Sequence, residues 1–377
     1  MLRCAIVPPV PVPYREPLLA RLAALPQLQV RVIYQARLQR SWDQVPQWFP
    51  HRHDYDAACL ESLVVPRAGR SPITWPRRLE EALSAFDPQV VVVSEFGPAT
   101  LRALAWCRRR RRALVILTEV TTEVQESLPP PQRALQRFLA RAADGLIAVS
   151  SAAAERLLEL HVDPQRLSVS LQSVDEDAFD AAFQTRRPLH ENPVEILAVA
   201  RLVPDKNLRS LIEGFAAAKL TPEEASLTIV GSGPLEAQLA QLACDLALPV
   251  VLHPALPPDQ LPALYARASA FALPSSFEPF GVALREAVIS GLPLLCSTEV
   301  GAAKDLALEH ENALMFAPSD VDGIARSLRL IVRDPQLRVK MGAASRRIAL
   351  AHPLRDDVEK FAARISAAAE AAPLARV

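Results

Sequence analysis

Short, unbroken apolar runs alternate with longer stretches of helical spacing along almost the whole of this chain. In the first half, "CAIVPPV" (4–10), "VRVIY" (30–34), "VVVVS" (90–94), "ALVILTEV" (113–120), "GLIAVS" (145–150) and "LSVSLQSV" (167–174) read as strands. In the second, the runs are "EILAVAR" (195–201), "SLTIVG" (226–231), "VVLHPAL" (250–256), "AFALPS" (270–275), "PLLCST" (293–298) and "ALMFAP" (313–318). Continuous rather than alternating apolar character is what a parallel sheet covered on both faces demands. Segments such as "LEAQLAQLACDLA" and "ALREAVIS" carry helical spacing between the runs. The pattern predicts two successive α/β series, each a doubly wound sheet.

A length of 377 residues also favours two domains over one core. The polar, proline-bearing stretch "QTRRPLHENP" (184–193) is the expected seam, giving a first domain over 1–184 and a second over 185–352. Residues 353–377, with "LRDDVEKFAARISAAAEAA", read as a terminal helix that can pack back on the first domain. Two such domains facing each other leave a cleft between the carboxyl ends of their sheets, where open α/β sheets bind ligands.

Charge bounds the partners. Lysine plus arginine and aspartate plus glutamate balance at 42 each, which argues against nucleic acid. The opening stretch is too proline-rich and too short in its apolar run for a signal peptide or membrane span. Five cysteines, with no C-x-x-C among them, read as buried free thiols in a reducing compartment, hence a cytoplasmic protein.

Three stretches carry candidate chemistry. In "AVARLVPDKNLRSLIEGF" (198–215), Arg201 ends a strand and Lys206 stands just before a helix. A fork-shaped and a point cation there suit an anionic group, although two ordinary surface charges fit as well. In "LTIVGSGPLEAQL" (227–239), Gly231 and Gly233 begin a dinucleotide-like turn, but Glu236 occupies the third glycine position. A side chain there obstructs helix–strand packing, so a nicotinamide site is not expected. Only 11 glycines occur, and Gly231, Gly233, Gly281, Gly291 and Gly301 cluster in the second half; such glycines mark backbone that approaches a ligand.

The third stretch is "FALPSSFEPFGVALREAV" (271–288). Glu278 precedes Pro279 and is pushed out of helical conformation, so a helix should begin near Val282 with Glu286 little more than a turn inside. The N–H groups at 281–283 then suit phosphate or hydroxyl acceptors, and Glu286 can accept hydrogen bonds from a vicinal diol. Helix-end electrostatics alone would also favour acidic residues here. It fits Glu278 poorly, since an unpaired charge among prolines and phenylalanines is costly.

Glu278 and Glu286 form an E-x7-E pattern, preceded by "ALPSS" and followed by "AVISGLPLL", that resembles the retaining glycosyltransferases of family 4. The "VGSGPLE" turn, Arg201 with Lys206, and "GAAKDLALEHENALMFAPSD" (301–320) fall in that family's order. The resemblance covers about residues 195–330 and, less fully, 144–179. It implies a GT-B fold: two Rossmann-like domains about a cleft, the first on the acceptor side and the second holding a nucleotide sugar such as a UDP- or GDP-sugar. It implies that Arg201 and Lys206 hold the diphosphate and Glu286 the ribose. Glu278, with backbone at Phe280, Gly281 and Val282, would meet the donor sugar. The implied activity is transfer of a hexosyl group to a glycan, lipid-linked or small-molecule acceptor, with no metal and no cofactor beyond the nucleotide sugar itself.

Two departures stand out. The family's glycine-rich loop after the first strand is replaced by "PPVPVPYREPLL" (8–19), which offers Tyr14 and Arg15 to the acceptor side. The first-domain histidine near the reacting sugar is absent, and "ILTEVTTE" offers Thr118, Glu119 and Thr122 instead. Glu119 fits either the histidine's place or a structural carboxylate at a strand end. These departures motivate a non-catalytic sugar-nucleotide binder as an alternative; a sugar-nucleotide epimerase of the same architecture is another, but it needs an acid–base set near the hexose ring that the sequence does not offer. Elsewhere, "HRHDYD" (51–56) reads as a polar loop rather than a metal site. His253 reads as packed or beside a base. The arginines of "CRRRRRALV" (107–115) read as a helix end, with contact to anionic lipid at the inner membrane face as a second reading. Trp42, Trp48 and Trp75 fit either an acceptor groove or loop packing.

Overall fold

A computed structural model describes residues 1–37, 53–67, 70–122 and 128–374. The chain forms two compact units, Met1–Val174 with Leu354–Val377, and Asp175–Pro353.

In the first unit, seven parallel strands follow the order β3-β2-β1-β6-β7-β8-β9. They are β1 (Leu2–Val7), β2 (Leu28–Tyr34), β3 (Ala57–Cys59), β6 (Val90–Ser94), β7 (Ala113–Thr118), β8 (Gly145–Ala148) and β9 (Leu167–Val169). The central strands β6, β7 and β8 are buried throughout, which is why they read as unbroken apolar runs. Between β3 and β6, β4 (Ser62–Arg67) and β5 (Arg70–Pro76) form an antiparallel hairpin. The last helix, Leu354–Leu374, packs on β7, β8 and β9 through Phe361 and Ile365. Its Asp357 accepts a hydrogen bond from the Leu171 N–H at 2.8 Å.

In the second unit, six parallel strands follow the order β12-β11-β10-β13-β14-β15. These are β10 (Val194–Val199), β11 (Ala225–Val230), β12 (Val250–His253), β13 (Ala270–Leu273), β14 (Leu294–Ser297) and β15 (Ala313–Phe316). Helices Leu208–Ala218 and Val321–Arg333 pack together over this sheet, around Leu211, Phe215, Ile324 and Leu328. Asp320 caps the second of them, accepting from Gly323 N–H at 2.7 Å. Each sheet reverses its strand order once, between β1 and β6 and between β10 and β13; at such a switch point the strand ends leave a crevice for ligands.

The units divide after Val174, ahead of the expected seam. The stretch 184–193 looks like a linker but is held inside the second unit. The buried Arg338 guanidinium donates to the carbonyls of Leu189 (2.6 Å), Ile331 (2.9 Å) and Val332 (2.7 Å), fixing the loop from beneath. The cysteines also differ from expectation: all five are free, but Cys59 and Cys244 are exposed.

Candidate active site

Three loops converge at the β10/β13 switch point. After β10 the chain turns through Pro204–Lys206, and Asn207 takes a left-handed conformation (φ 50°) before the next helix. The Asn207 amide donates to the carbonyls of Pro274 (3.1 Å) and Pro318 (2.8 Å), tying this turn to the loops after β13 and β15. Ser276 N–H donates to the Asp205 carbonyl at 2.9 Å. These bonds bring Lys206 Nζ onto the Glu278 carboxylate as an ion pair, with side chains only 12 and 13% exposed. Arg201 stays exposed at the end of β10.

Gly231, Gly233 and Gly301 have a further, structural reason to be glycine. They let these loops touch one another. A Cβ on Gly231 would lie 1.8 Å from the Ala200 carbonyl oxygen, and one on Gly233 would lie 2.4 Å from that of Leu202. The glycine turn is thereby seated against the turn that carries Arg201, sealed by Leu202 N–H to Ser232 (3.0 Å) and Leu235 N–H to Leu202 (3.1 Å). Gly301 does the same for the Glu278 loop, its own Cβ position being 2.0 Å from the Pro279 carbonyl oxygen. Gly301 N–H donates to Glu278 (2.8 Å) and Ala302 N–H to Phe280 (2.9 Å).

The helix Val282–Ile289 starts directly after Gly281, whose φ of 97° only glycine adopts readily. Its first N–H groups have no partner within the helix. Glu286, one turn in, is partly buried. Its carboxylate accepts a 2.7 Å hydrogen bond from the hydroxyl of Tyr265, on the helix Leu261–Arg267. Burial pushes the Glu286 carboxyl up to about 7, and the Tyr265 bond pulls the other way. Burial and the neighbouring carboxylate raise the Tyr265 hydroxyl well above its ordinary value, so it stays a donor. Glu278 and Glu286 thus have separate partners. Tyr265 carries no sequence signal: it looks like one more apolar helix position.

At the β1/β6 switch point of the first unit, Glu95 follows β6 with φ 64°, a conformation strained for any residue but glycine. Its carboxylate accepts from the Thr118 hydroxyl and the Glu119 N–H, both at 2.9 Å. Burial, and then the charge of Glu119, push Glu95 up to about 7. The Glu119 carboxylate accepts from Gln172 at 3.1 Å, and Arg15 lines the adjoining small cavity with Ser94, Leu117 and Gln172. Tyr14 sits in the same turn, its carbonyl accepting from the Ser173 hydroxyl. Sequence patterns give no hint of Glu95, because its partners come from a different strand.

The remaining candidates fall outside these clusters. His53 and Tyr55 donate to the Glu16 carboxylate at 2.8 Å each, beside Tyr34. His253 is exposed rather than packed. Trp75 is half exposed beneath Arg102, while Trp42 and Trp48 lie outside the described residues. Arg108 and Arg112 pair with Asp144 and Asp87. Among the described residues, no group of three His, Cys, Asp or Glu side chains is placed to hold a metal ion. No helix among them is long and apolar enough to cross a membrane.

The family model for Glycosyltransferase Family 4 matches residues 17–178, and that for Glycosyl transferases group 1 matches residues 181–348. The glycogen synthase of Mycobacterium tuberculosis (H37Rv) is 30% identical over 59% of this chain and 54% of its own length. A GDP-mannose-dependent alpha-(1-6)-phosphatidylinositol monomannoside mannosyltransferase of Mycolicibacterium smegmatis is 27% identical over 72% of this chain and 75% of its own. The chain belongs to the GT-B glycosyltransferases. Among solved structures of that fold, Anabaena Alr3699/HepE in complex with UDP superposes on this chain with a TM-score of 0.76. That match covers 97% of this chain and 100% of the other at 18% identity, a likeness of fold alone. The chain spans about half the length of the glycogen synthase it matches. The β10/β13 loops lie within the group 1 match, and β6 and β7 within the family 4 match.

Proposed function

We propose that this glycosyltransferase moves a sugar from a nucleotide-diphosphate sugar to an acceptor with retention of anomeric configuration. The observation that carries the reading is the Lys206–Glu278 pair at the β10/β13 switch point. A ligand that opens this pair must re-satisfy a cation and a carboxylate at adjacent places. A sugar diphosphate does so, offering phosphate oxygens to Lys206 and sugar hydroxyls to Glu278. Arg201 supplies the second diphosphate cation, and the N-terminus of Val282–Ile289, with backbone at Phe280, Gly281 and Val282, takes oxygen acceptors. Glu286 accepts from the ribose hydroxyls. Gly231 and Gly233 seat the Arg201 turn.

As the glycosidic carbon–oxygen bond breaks, the leaving nucleoside diphosphate gains charge, and cations already aimed at it favour the transition state over the ground state. The acceptor oxygen bonds the anomeric carbon and its proton passes to the departing phosphate oxygen. The two cations take the part a metal plays elsewhere. On the acceptor side the reading assigns Glu119, held by Glu95, together with Tyr14 and Arg15. UDP in the HepE crystals and GDP-mannose in the mannosyltransferase's name support UDP- or GDP-sugars as donors. A cytoplasmic protein with peripheral contact at the inner membrane face fits the free cysteines and the exposed Arg109 and Arg110. The test is a panel of nucleotide sugars with and without candidate acceptors, followed by nucleoside diphosphate release. Acceptor-dependent release is expected. Donor conversion without acceptor would indicate an epimerase, and thermal stabilisation without turnover a binder; either result removes the proposal.

A further inference from the structure

Glu286 reaches its place by a contact no motif describes. Tyr265 is wholly buried, stacked on Phe271 at 5.5 Å between ring centroids and edge-on to Phe179 at 5.4 Å. With its ring fixed on two sides, its hydroxyl lies between the Ala283 carbonyl at 3.3 Å and Glu286 Oε2 at 2.7 Å, and the shorter bond to the carboxylate is the one its proton favours. The second oxygen of Glu286 is left for other donors. The other charged groups on and around this helix are turned elsewhere. Arg285 donates to Glu176 and to the His352 carbonyl, both at 3.0 Å, and Lys206 faces Glu278. Ser290 donates to the Glu286 carbonyl, not to its carboxylate.

We infer that Tyr265 is a positioning residue for nucleotide recognition, fixing the rotamer of Glu286 and keeping it an acceptor for the two ribose hydroxyls. This rests on the assignment of Glu286 to the ribose made above. A partly buried carboxylate without this donor takes up a proton more readily, and a carboxylic acid no longer accepts from two hydroxyls at once. Tyr265 therefore sets the pH range over which the ribose is recognised as well as the strength of recognition.

The test is calorimetry on the full chain with UDP, GDP and ADP, carrying forward the tightest together with its 2′,3′-dideoxy analogue. The diphosphates of the two ligands titrate alike, so the ratio of their affinities isolates the ribose hydroxyls. In the parent, the ratio should be highest above pH 7 and fall as the pH drops through about 7, where Glu286 protonates. Tyr265→Phe keeps the ring and should lower the ratio about tenfold, move its fall to higher pH, and leave the dideoxy ligand's affinity unchanged. Glu286→Gln should give a low ratio that no longer varies with pH, and Tyr265→Phe added to it should change nothing further. A ratio unmoved by Tyr265→Phe, with Glu286→Gln collapsing it, overturns the inference. So does an equal weakening of both ligands by Tyr265→Phe, which would mark a packing role. If Glu286→Gln leaves the ratio intact, the ribose assignment itself fails and the inference with it; if none of the three nucleotides binds, the donor reading fails.

Discussion

Lys206 and Glu278, 72 residues apart in sequence, are joined in an ion pair that converging loops keep largely out of water. Removing one member strands the other charge, which typically costs about 3–5 kcal/mol when fully buried and somewhat less here. Lys206→Ala and Glu278→Ala should each lower unfolding free energy by about 2–3 kcal/mol, while the double variant loses clearly less than their sum. Urea denaturation of the four proteins tests this, and strictly additive losses would deny the coupling.

The same pair changes what the donor site should do when cut. On the proposed donor reading, loss of Glu278 releases Lys206 to the diphosphate, so Glu278→Ala should bind nucleoside diphosphate more tightly while turnover of the sugar nucleotide falls. Lys206→Ala should weaken nucleoside diphosphate by about ten- to hundredfold, since it removes a charge-assisted hydrogen bond. Calorimetry beside a turnover assay decides the matter; a matching loss of affinity in both variants would count against this division.

Transfer should survive an excess of a strong chelator, because Arg201 and Lys206 are assigned the work of charge neutralisation. Complete loss of turnover, restored by magnesium or manganese, would sink that assignment.

Stability should fall as the pH rises. Glu95 and Glu286 have folded-state values raised to about 7, above their unfolded ones near 4.5. Their protonated forms are favoured by folding, so the penalty is absent below about pH 4.5 and complete above about 8. It amounts to at most about 3 kcal/mol for each group. Glu95→Gln can still accept from Glu119 N–H and donate to Thr118, without the charge. Its Tm should exceed the parent's at pH 9 and match or fall below it at pH 5. A parent–variant difference that is flat with pH would refute the argument.

Gly301→Ala would drive a Cβ into the Pro279 carbonyl. Overpacking of this kind costs roughly 1–3 kcal/mol, and here it displaces the loop that bears Glu278, so turnover should fall with stability. Gly97→Ala, where an added Cβ meets nothing within 4 Å, serves as the control. Gly97 caps the helix Pro98–Arg110, where alanine is a poorer cap, so the change should cost no more than about 1 kcal/mol and leave turnover unchanged. Equal effects at both positions would show that loop contact is not what requires Gly301.

Every apolar run singled out in the sequence contains a strand. The edge strands β9 and β12 are apolar yet only partly buried, while inside each sheet strands buried on both faces leave that mark. The strands that escaped notice lack it. β3 is three residues long, and the β4–β5 hairpin exposes Leu63, Val65 and Trp75, so neither reads as a buried run. The stretch 184–193 has a linker's composition, and only the distant Arg338 makes it part of a unit. At the site, the helix start at Val282 was legible from Pro279 and Gly281, whose effects are local. The pairings were not. Glu95 with Thr118, Tyr265 with Glu286 and Lys206 with Glu278 each join different elements of a sheet or its covering helices, and no spacing rule along the chain records them.

One arginine gives the second unit a further property. The guanidinium of Arg285 reaches both Glu176 and the carbonyl of His352, residues that lie at the two ends of Asp175–Pro353. The unit's entry and exit are therefore neighbours, closed like the neck of a bag. A segment so closed can be lifted out of a gene in one continuous piece and set into another without reopening its sheet. Whatever the second unit binds can then be inherited as a cassette, independently of the chain that surrounds it.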